Sequence, residues 1–200
     1  MKSEKIKANN NSKSTPIQVG IDFDGVLAYN PFRVARAPIT YVKRKILGER
    51  KTHFYIPKTE LEKFIWTILH ESSVFPAIGA DLLRDLTREK KIEAHLVTAR
   101  YSFLQKNLYD WLKKNNLEDI FSSITINKND EQPHLYKETV IKDRKFDYFI
   151  EDNLDIVKHV APKTDTKVLW IYNLLDRSYP YEHKFPYLKK ALEHIAEAKS

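Results

Sequence analysis

At 200 residues, with 42% hydrophobic and 30% charged side chains, the chain reads as one globular domain with room for an inserted subdomain. It contains no cysteine, which excludes disulfides, thiolate catalysis and cysteine-ligated zinc or iron–sulfur centres, and no stretch approaches the roughly 18 apolar residues of a membrane span. Its 34 lysines and arginines against 27 acids leave a net charge of +7, a field that favours anionic partners such as nucleotides, other phosphate esters or nucleic acid.

Residues 1–15 carry Lys2, Lys5, Lys7 and Lys13 around Asn9–Asn11. They lack the apolar core of a signal peptide and predict a disordered basic tail, with the cytoplasm as the expected compartment. The first predicted strand, Ile17–Phe23, is a near-continuous apolar run of the kind buried in a parallel sheet. It ends in Asp22-Phe23-Asp24-Gly25, two carboxylates one residue apart at the strand end where open parallel sheets bind ligands. They point to opposite sides unless the backbone turns just after Asp22, a turn that Gly25 permits. Anions this close need a cation, a shared proton or solvent. Magnesium suits them, as a hard ion that takes one or two carboxylates, waters and a substrate phosphate. Asp22 is then a candidate nucleophile and Asp24 a candidate proton donor to the leaving oxygen. The alternative is a plain Asp-Gly turn with Asp22 solvated.

Residues 31–76 exceed a usual connection and predict a small, mainly helical cap, leaving 16–30 and 77–200 as the core. Within it Thr59–Glu71, with Leu61, Phe64, Ile65, Ile68 and Leu69 at helical spacing, reads as an amphipathic helix started by Pro57. Arg33, Arg36 and Arg100 are candidate phosphate or sugar contacts. Phe32, Tyr41, Phe54, Tyr55 and Trp66 are candidates either to stack on a base or to pack in the core.

Beyond the insertion, helical faces alternate with four more predicted strands. The faces lie at Leu82, Leu83 and Leu86, at Leu104, Leu108, Trp111 and Leu112, and at Leu188, Ala191, Leu192, Ile195 and Ala196; the strands are Glu93–Thr98, Ser123–Asn127, Phe146–Ile150 and Lys167–Tyr172. This alternation predicts an α/β fold, a five-stranded parallel sheet with helices on both faces. The second strand ends at Thr98-Ala99-Arg100. There a hydroxyl and backbone amides at a strand-to-helix turn hold phosphate, or the threonine simply caps the helix. The fourth strand runs into Glu151-Asp152-Asn153, a second acidic pair at the same sheet edge, where Asp152 or Asn153 can also cap the next helix. Of Lys128, Lys137, Lys142 and Lys145, position favours Lys137 as a fixed cation for phosphate, because it lies at the start of the helix leading to the fourth strand. His95, in an apolar strand, reads as a hydrogen-bonded core histidine, and His53, His70 and His134 lack metal-ligand spacing.

Asp22-Phe23-Asp24-Gly25-Val26, the strand ending in Thr98, the upstream lysine and the strand ending in Glu151-Asp152 together resemble the haloacid dehalogenase (HAD) superfamily of phosphohydrolases. The resemblance covers residues 17–172. It implies a Rossmann-like core in which Asp22 is the nucleophile, Asp24 the general acid and base, and Thr98 and Lys137 bind phosphate; Ala99 and Arg100, next to Thr98, are further candidate substrate-binding residues. It also implies magnesium held by Asp22, the backbone carbonyl of Asp24 and Asp152, with Glu151 nearby. Val97-Thr98-Ala99-Arg100, the early insertion and a lysine fourteen residues before Glu151 resemble the 5'-nucleotidase type C group, which includes deoxyribonucleotidases. Glu151-Asp152 stands where that group commonly has two aspartates, which leaves open which acid touches the metal.

Three functions follow as expectations. The first is a magnesium-dependent phosphatase of nucleoside monophosphates. The second is the same chemistry on a sugar phosphate or other small metabolite. The third is a non-catalytic module that binds nucleic acid through its basic surface, against which stands the presence of every acid the chemistry needs. A small phosphorylated substrate is the expected partner, with no membrane and no stable nucleic-acid complex.

Overall fold

The computed structural model describes residues 15–29, 54–71, 74–174 and 176–198. In chain order these form β1 (Ile17–Ile21), β2 (Ala28–Tyr29), α1 (Glu60–Glu71), β3 (Phe75–Pro76), α2 (Ala80–Arg88), β4 (Ile92–Thr98), α3 (Gln105–Lys114), β5 (Phe121–Ile126), α4 (Pro133–Arg144), β6 (Tyr148–Glu151), α5 (Leu154–Val160), β7 (Lys167–Ile171), β8 (Lys184–Phe185) and α6 (Leu188–Glu197). No helix among them is long and apolar enough to cross a membrane.

The main sheet runs β5-β4-β1-β6-β7-β8, all parallel. It has six strands where the sequence predicts five. The sixth, β8, is two residues long and pairs Lys184 with Trp170 and Phe185 with Ile171, so no apolar run announces it. Side chains alternate across each strand, and the two faces bury separate clusters. Val19, Ile21, Ile150 and Leu169 pack against Leu83 of α2, Leu108 and Leu112 of α3, and Leu192 and Ile195 of α6. Phe149, Val168 and Trp170 pack against Val140 and Ile141 of α4 and Val157 and Val160 of α5. Helices therefore cover both faces, as the alternating pattern requires.

β1 lies between β4 and β6, with Ile21 level with both Leu96 and Ile150. The carboxyl ends of three adjacent strands consequently sit side by side, and chain order reverses direction across β1, the place where such sheets open a crevice. His95 bears out its reading: its two ring nitrogens meet Ser123 Oγ and Gln18 Oε1, each at 2.8 Å.

The insertion leaves the core through a short antiparallel ladder of β2 with β3, pairing Ala28 with Pro76 and Tyr29 with Phe75. Most of the expected cap, including Phe32, Arg33, Arg36, Tyr41 and His53, lies outside the described residues, as does the expected tail apart from Thr15. α1 begins at Glu60, three residues beyond Pro57, and is organised by Glu62. Its carboxylate accepts the backbone N–H groups of Lys58 and Thr59, while Thr59 Oγ1 accepts that of Glu62. This is a capping box. No residue of α1 is buried, and Leu61, Phe64, Ile65 and Ile68 are exposed.

Gly20 faces the α4–α5 side, where an added Cβ would come within 2.6 Å of the Phe149 ring and 2.7 Å of the Phe146 ring. Overpacking of this kind costs about 1–3 kcal/mol. Gly20→Ala is expected to lower the urea midpoint accordingly, and Phe146→Leu added to it to recover part of the loss; an unchanged midpoint for Gly20→Ala would mean that the two rings repack freely.

Candidate active site

The site is built on the turn that follows β1. Strand geometry stops at Ile21, before the first acid, so Asp22 and Asp24 are carried on a turn rather than alternating along a strand. The turn is closed by N–H groups of Leu27 and Ala28 donating to the Phe23 carbonyl and of Gly25 donating to that of Ala28. Gly25 has φ +82°, the left-handed region that favours glycine. Phe23, Val26 and Leu27 are buried beneath it, so the acids are held from below by the core.

Asp22 is buried, and its Oδ1 receives Lys137 Nζ at 2.8 Å. The same ammonium lies 2.6 Å from Glu151 Oε2. Lys137 projects from α4 across the carboxyl end of β1 to that of β6, and its side chain is 3% exposed. Two carboxylates thus share one cation out of water, and the second negative charge is the costly one. Burial, followed by repulsion from Glu151, raises the Asp22 carboxyl from 3.8 to about 7 against the pull of Lys137. Burial likewise raises Glu151. Lys137 moves the other way: burial opposes its charge, but Asp22 and Glu151 outweigh that and lift it above the usual lysine range.

Glu151 and Asp152 divide their tasks. Glu151 Oε2 is taken by Lys137, and Oε1 accepts the N–H groups of Asp152 at 3.1 Å and Asn153 at 2.9 Å. Asn153 caps α5 by accepting the Asp155 N–H. The Asp152 carbonyl accepts from Trp170 Nε1, which fixes the strand end. Asp22, Glu151 and Asp152 can each offer an oxygen within 4.8 Å of the others. An all-carboxylate donor set fits a hard divalent cation. Asp22, Glu151 and Asp152 are together the side chains that could hold it, with both Glu151 oxygens also accepting hydrogen bonds within the fold.

On the other flank of β1, Thr98 is buried at the end of β4, and its Oγ1 accepts the Arg100 N–H at 3.2 Å. Its hydroxyl proton is thereby directed elsewhere. The helix predicted from Ser102 opens with a 3-10 turn, Ser102–Leu104, before α3, and the Ser102 N–H is bonded to Asp130 Oδ1. The Arg100 guanidinium grips Asp24 with two bonds, Nε to Oδ2 at 2.7 Å and Nη2 to Oδ1 at 2.8 Å, and Nη2 also reaches the His70 carbonyl at 3.3 Å.

Asp22, Asp24, Thr98, Ala99, Arg100, Lys137, Glu151 and Asp152 line one cavity of about 350 Å³. Phe54, Tyr55, Trp66 and His70 contribute a wall from the insertion, and Tyr101 joins them. Asn173 and Asp176, just past β7, form another part and bond each other through Asn173 Nδ2 to Asp176 Oδ2 at 2.7 Å. Sequence reasoning missed Tyr101, Asn173 and Asp176. The last two follow a strand's carboxyl end, so the rule that exposed the other motifs would have found them.

No protein-family model and no curated protein matches the chain. Solved structures do. A putative β-phosphoglucomutase from Thermotoga maritima aligns with TM-score 0.58 at 15% identity, over 90% of this chain and 99% of that one. CbbY from Rhodobacter sphaeroides, in complex with phosphate, gives 0.55 at 13% over 86% and 95%. The putative HAD-hydrolase YfnB from Bacillus subtilis, bound to magnesium, gives 0.53 at 15% over 92% and 100%. The chain has the fold of the HAD-type hydrolases. At these identities the likeness is one of fold, and the chemistry rests on the side chains described above.

The raised Asp22 carboxyl has a thermodynamic consequence. A carboxyl whose folded pKa lies above its unfolded value favours the fold while protonated, so the metal-free protein loses stability as pH rises from about 4 to about 7. Asp22→Asn is expected to make the metal-free protein about 1–3 kcal/mol more stable at pH 8, a gain that vanishes below pH 4. Thermal melting across this range checks it, with a gain of about 2–8 °C expected at the alkaline end. A variant less stable than the parent at pH 8 would contradict the assignment of strain to Asp22.

Proposed function

We propose that this chain is a magnesium-dependent phosphomonoesterase that works through an aspartyl phosphate on Asp22 and acts on nucleoside monophosphates. The observation that carries the reading is Lys137 held between Asp22 and Glu151 at the floor of a cavity whose outer wall is aromatic.

An Asp22 oxygen attacks phosphorus, the ester P–O bond breaks, and the departing oxygen takes a proton from Asp24. Water then attacks the phosphoryl group and gives a proton to Asp24, and the Asp22–phosphate bond breaks to release inorganic phosphate. Lys137 neutralises charge on the nucleophile and the transferring group, and Thr98 directs its hydroxyl to a phosphate oxygen. Magnesium, when bound at Asp22 and Asp152, screens the charge of the nucleophile and the phosphate. Glu151 acts through Lys137, which it orients with both of its own oxygens occupied.

The nucleotide reading rests on Phe54, Tyr55, Trp66 and Tyr101 in the cavity wall. The Tyr55 and Trp66 rings lie 5.7 Å apart, tilted by 45°, offering planar surface to a base. A sugar phosphate is the second reading. It is favoured by the polar pair Asn173 and Asp176 on the same cavity and by fold likeness to a putative β-phosphoglucomutase.

Phosphate release from ribo- and deoxyribonucleoside monophosphates, hexose phosphates and para-nitrophenyl phosphate, with magnesium or with EDTA, separates these readings. Magnesium-dependent release concentrated on nucleotides is expected, with none from Asp22→Asn. Release confined to hexose phosphates would transfer the chemistry to the second reading, and no release from any ester would remove both. Asp152→Asn is expected to raise the half-saturating magnesium concentration about tenfold or more, whereas Glu151→Gln lowers kcat with a smaller effect on magnesium. The reverse order would exchange the roles of the two acids.

A further inference from the structure

Three side chains at the carboxyl edge of the sheet hold the backbone of residues 54–70 rather than its side chains. Gln132, just before α4, pairs with both polar groups of Phe54: its Oε1 accepts the Phe54 N–H at 2.8 Å and its Nε2 donates to the Phe54 carbonyl at 3.2 Å. Tyr101 donates its hydroxyl to the Tyr55 carbonyl at 3.0 Å. Arg100 Nη2 donates to the His70 carbonyl. The loop carrying Gln132 is itself pinned, because the buried Asn127 bonds both the N–H and the carbonyl of Glu131.

Arg100 differs from the other two in having a second partner in the catalytic turn. Its side chain is 3% exposed, both Asp24 oxygens are in its grip, and its guanidinium carbon lies 4.4 Å from the centre of the Phe23 ring. A planar fork held by a ring face and a bidentate carboxylate has little freedom to rotate. The His70 carbonyl and the Asp24 carboxylate are therefore fixed relative to one another through a single rigid group.

We propose that Arg100 is a positioning residue that makes the seating of residues 54–71 on the core and the orientation of Asp24 one event, with Gln132 and Tyr101 holding the far end of the same segment. The proposal rests on the role given to Asp24 under the proposed function. When the segment is seated, Asp24 is aimed and the aromatic wall is in place; when it lifts, both are lost together. A substrate that fills the aromatic wall then promotes the chemistry at phosphorus without touching it, a use of remote binding for orientation.

Three readouts on the full chain test this. Arg100→Lys keeps the charge but cannot bind both carboxylate oxygens, and it is expected to lower kcat about 100-fold, while inhibition by inorganic phosphate and the magnesium requirement change less than about threefold. Loss of inorganic phosphate inhibition in step with kcat would make Arg100 a phosphate ligand and overturn the proposal. Gln132→Ala leaves Arg100 and Asp24 intact and is also expected to lower kcat. In the double variant the losses should fall short of their product by threefold or more, and full multiplicativity would overturn the coupling. Amide hydrogen exchange in residues 54–71 should quicken in both single variants, and unchanged exchange in Arg100→Lys would likewise overturn it. This last measurement needs no turnover. A parent protein that releases no phosphate while Arg100→Lys loosens the segment would refute the proposed function and leave the mechanical link standing.

Discussion

One buried ammonium between two buried carboxylates governs this structure. Lys137 cannot leave Asp22 and Glu151 without stranding charge in the interior, and breaking a buried pair in this way costs about 3–5 kcal/mol. The cluster therefore fixes the relative placement of α4, the turn after β1 and the end of β6. Everything else at the site is arranged around that placement. Asp22 points into the cavity because Lys137 holds one of its oxygens, and the Glu151 carboxylate completes its bonds on backbone N–H groups at the start of α5. The fold accepts a strained, partly uncompensated group of charges that a divalent cation and a phosphate dianion can relieve.

The two ends of the cavity are made differently. The end that holds Asp22, Thr98 and Glu151 comes from three neighbouring strands whose registers are set by the core, so its residues are placed to within what a packed interior allows. The other end comes from residues 54–70 and from the loop after β7, joined to the core by hydrogen bonds. Arg100 belongs to both ends.

Much of this was legible in the sequence, for reasons that can be named. β1, β4 and β6 are apolar runs ending in polar motifs, and the acids that follow β1 and β6 are near those ends by construction. Lys137 followed from helix position alone, since a residue early in α4 must lie near the carboxyl edge of the strand the helix leads to. What was not legible is pairing. Arg100 and Asp24 are 76 positions apart, and Gln132 and Phe54 are 78 apart; a sequence lists donors and acceptors without saying which of them face each other. β2, β3 and β8 have two residues each, too few for any period. The two backbone N–H groups that turn toward Glu151 were equally hidden, because they depend on how the chain bends after β6.

The proposed mechanism requires Asp22 to become phosphorylated during turnover. Mixing Asp24→Asn protein with magnesium and its best substrate, quenching, and reducing with borohydride converts an aspartyl phosphate to homoserine, which peptide mass spectrometry locates. Homoserine is expected at position 22 and nowhere else. Phosphate release by the parent protein with an unmodified Asp22 in the trapped variant, or modification at a different carboxylate, would contradict it.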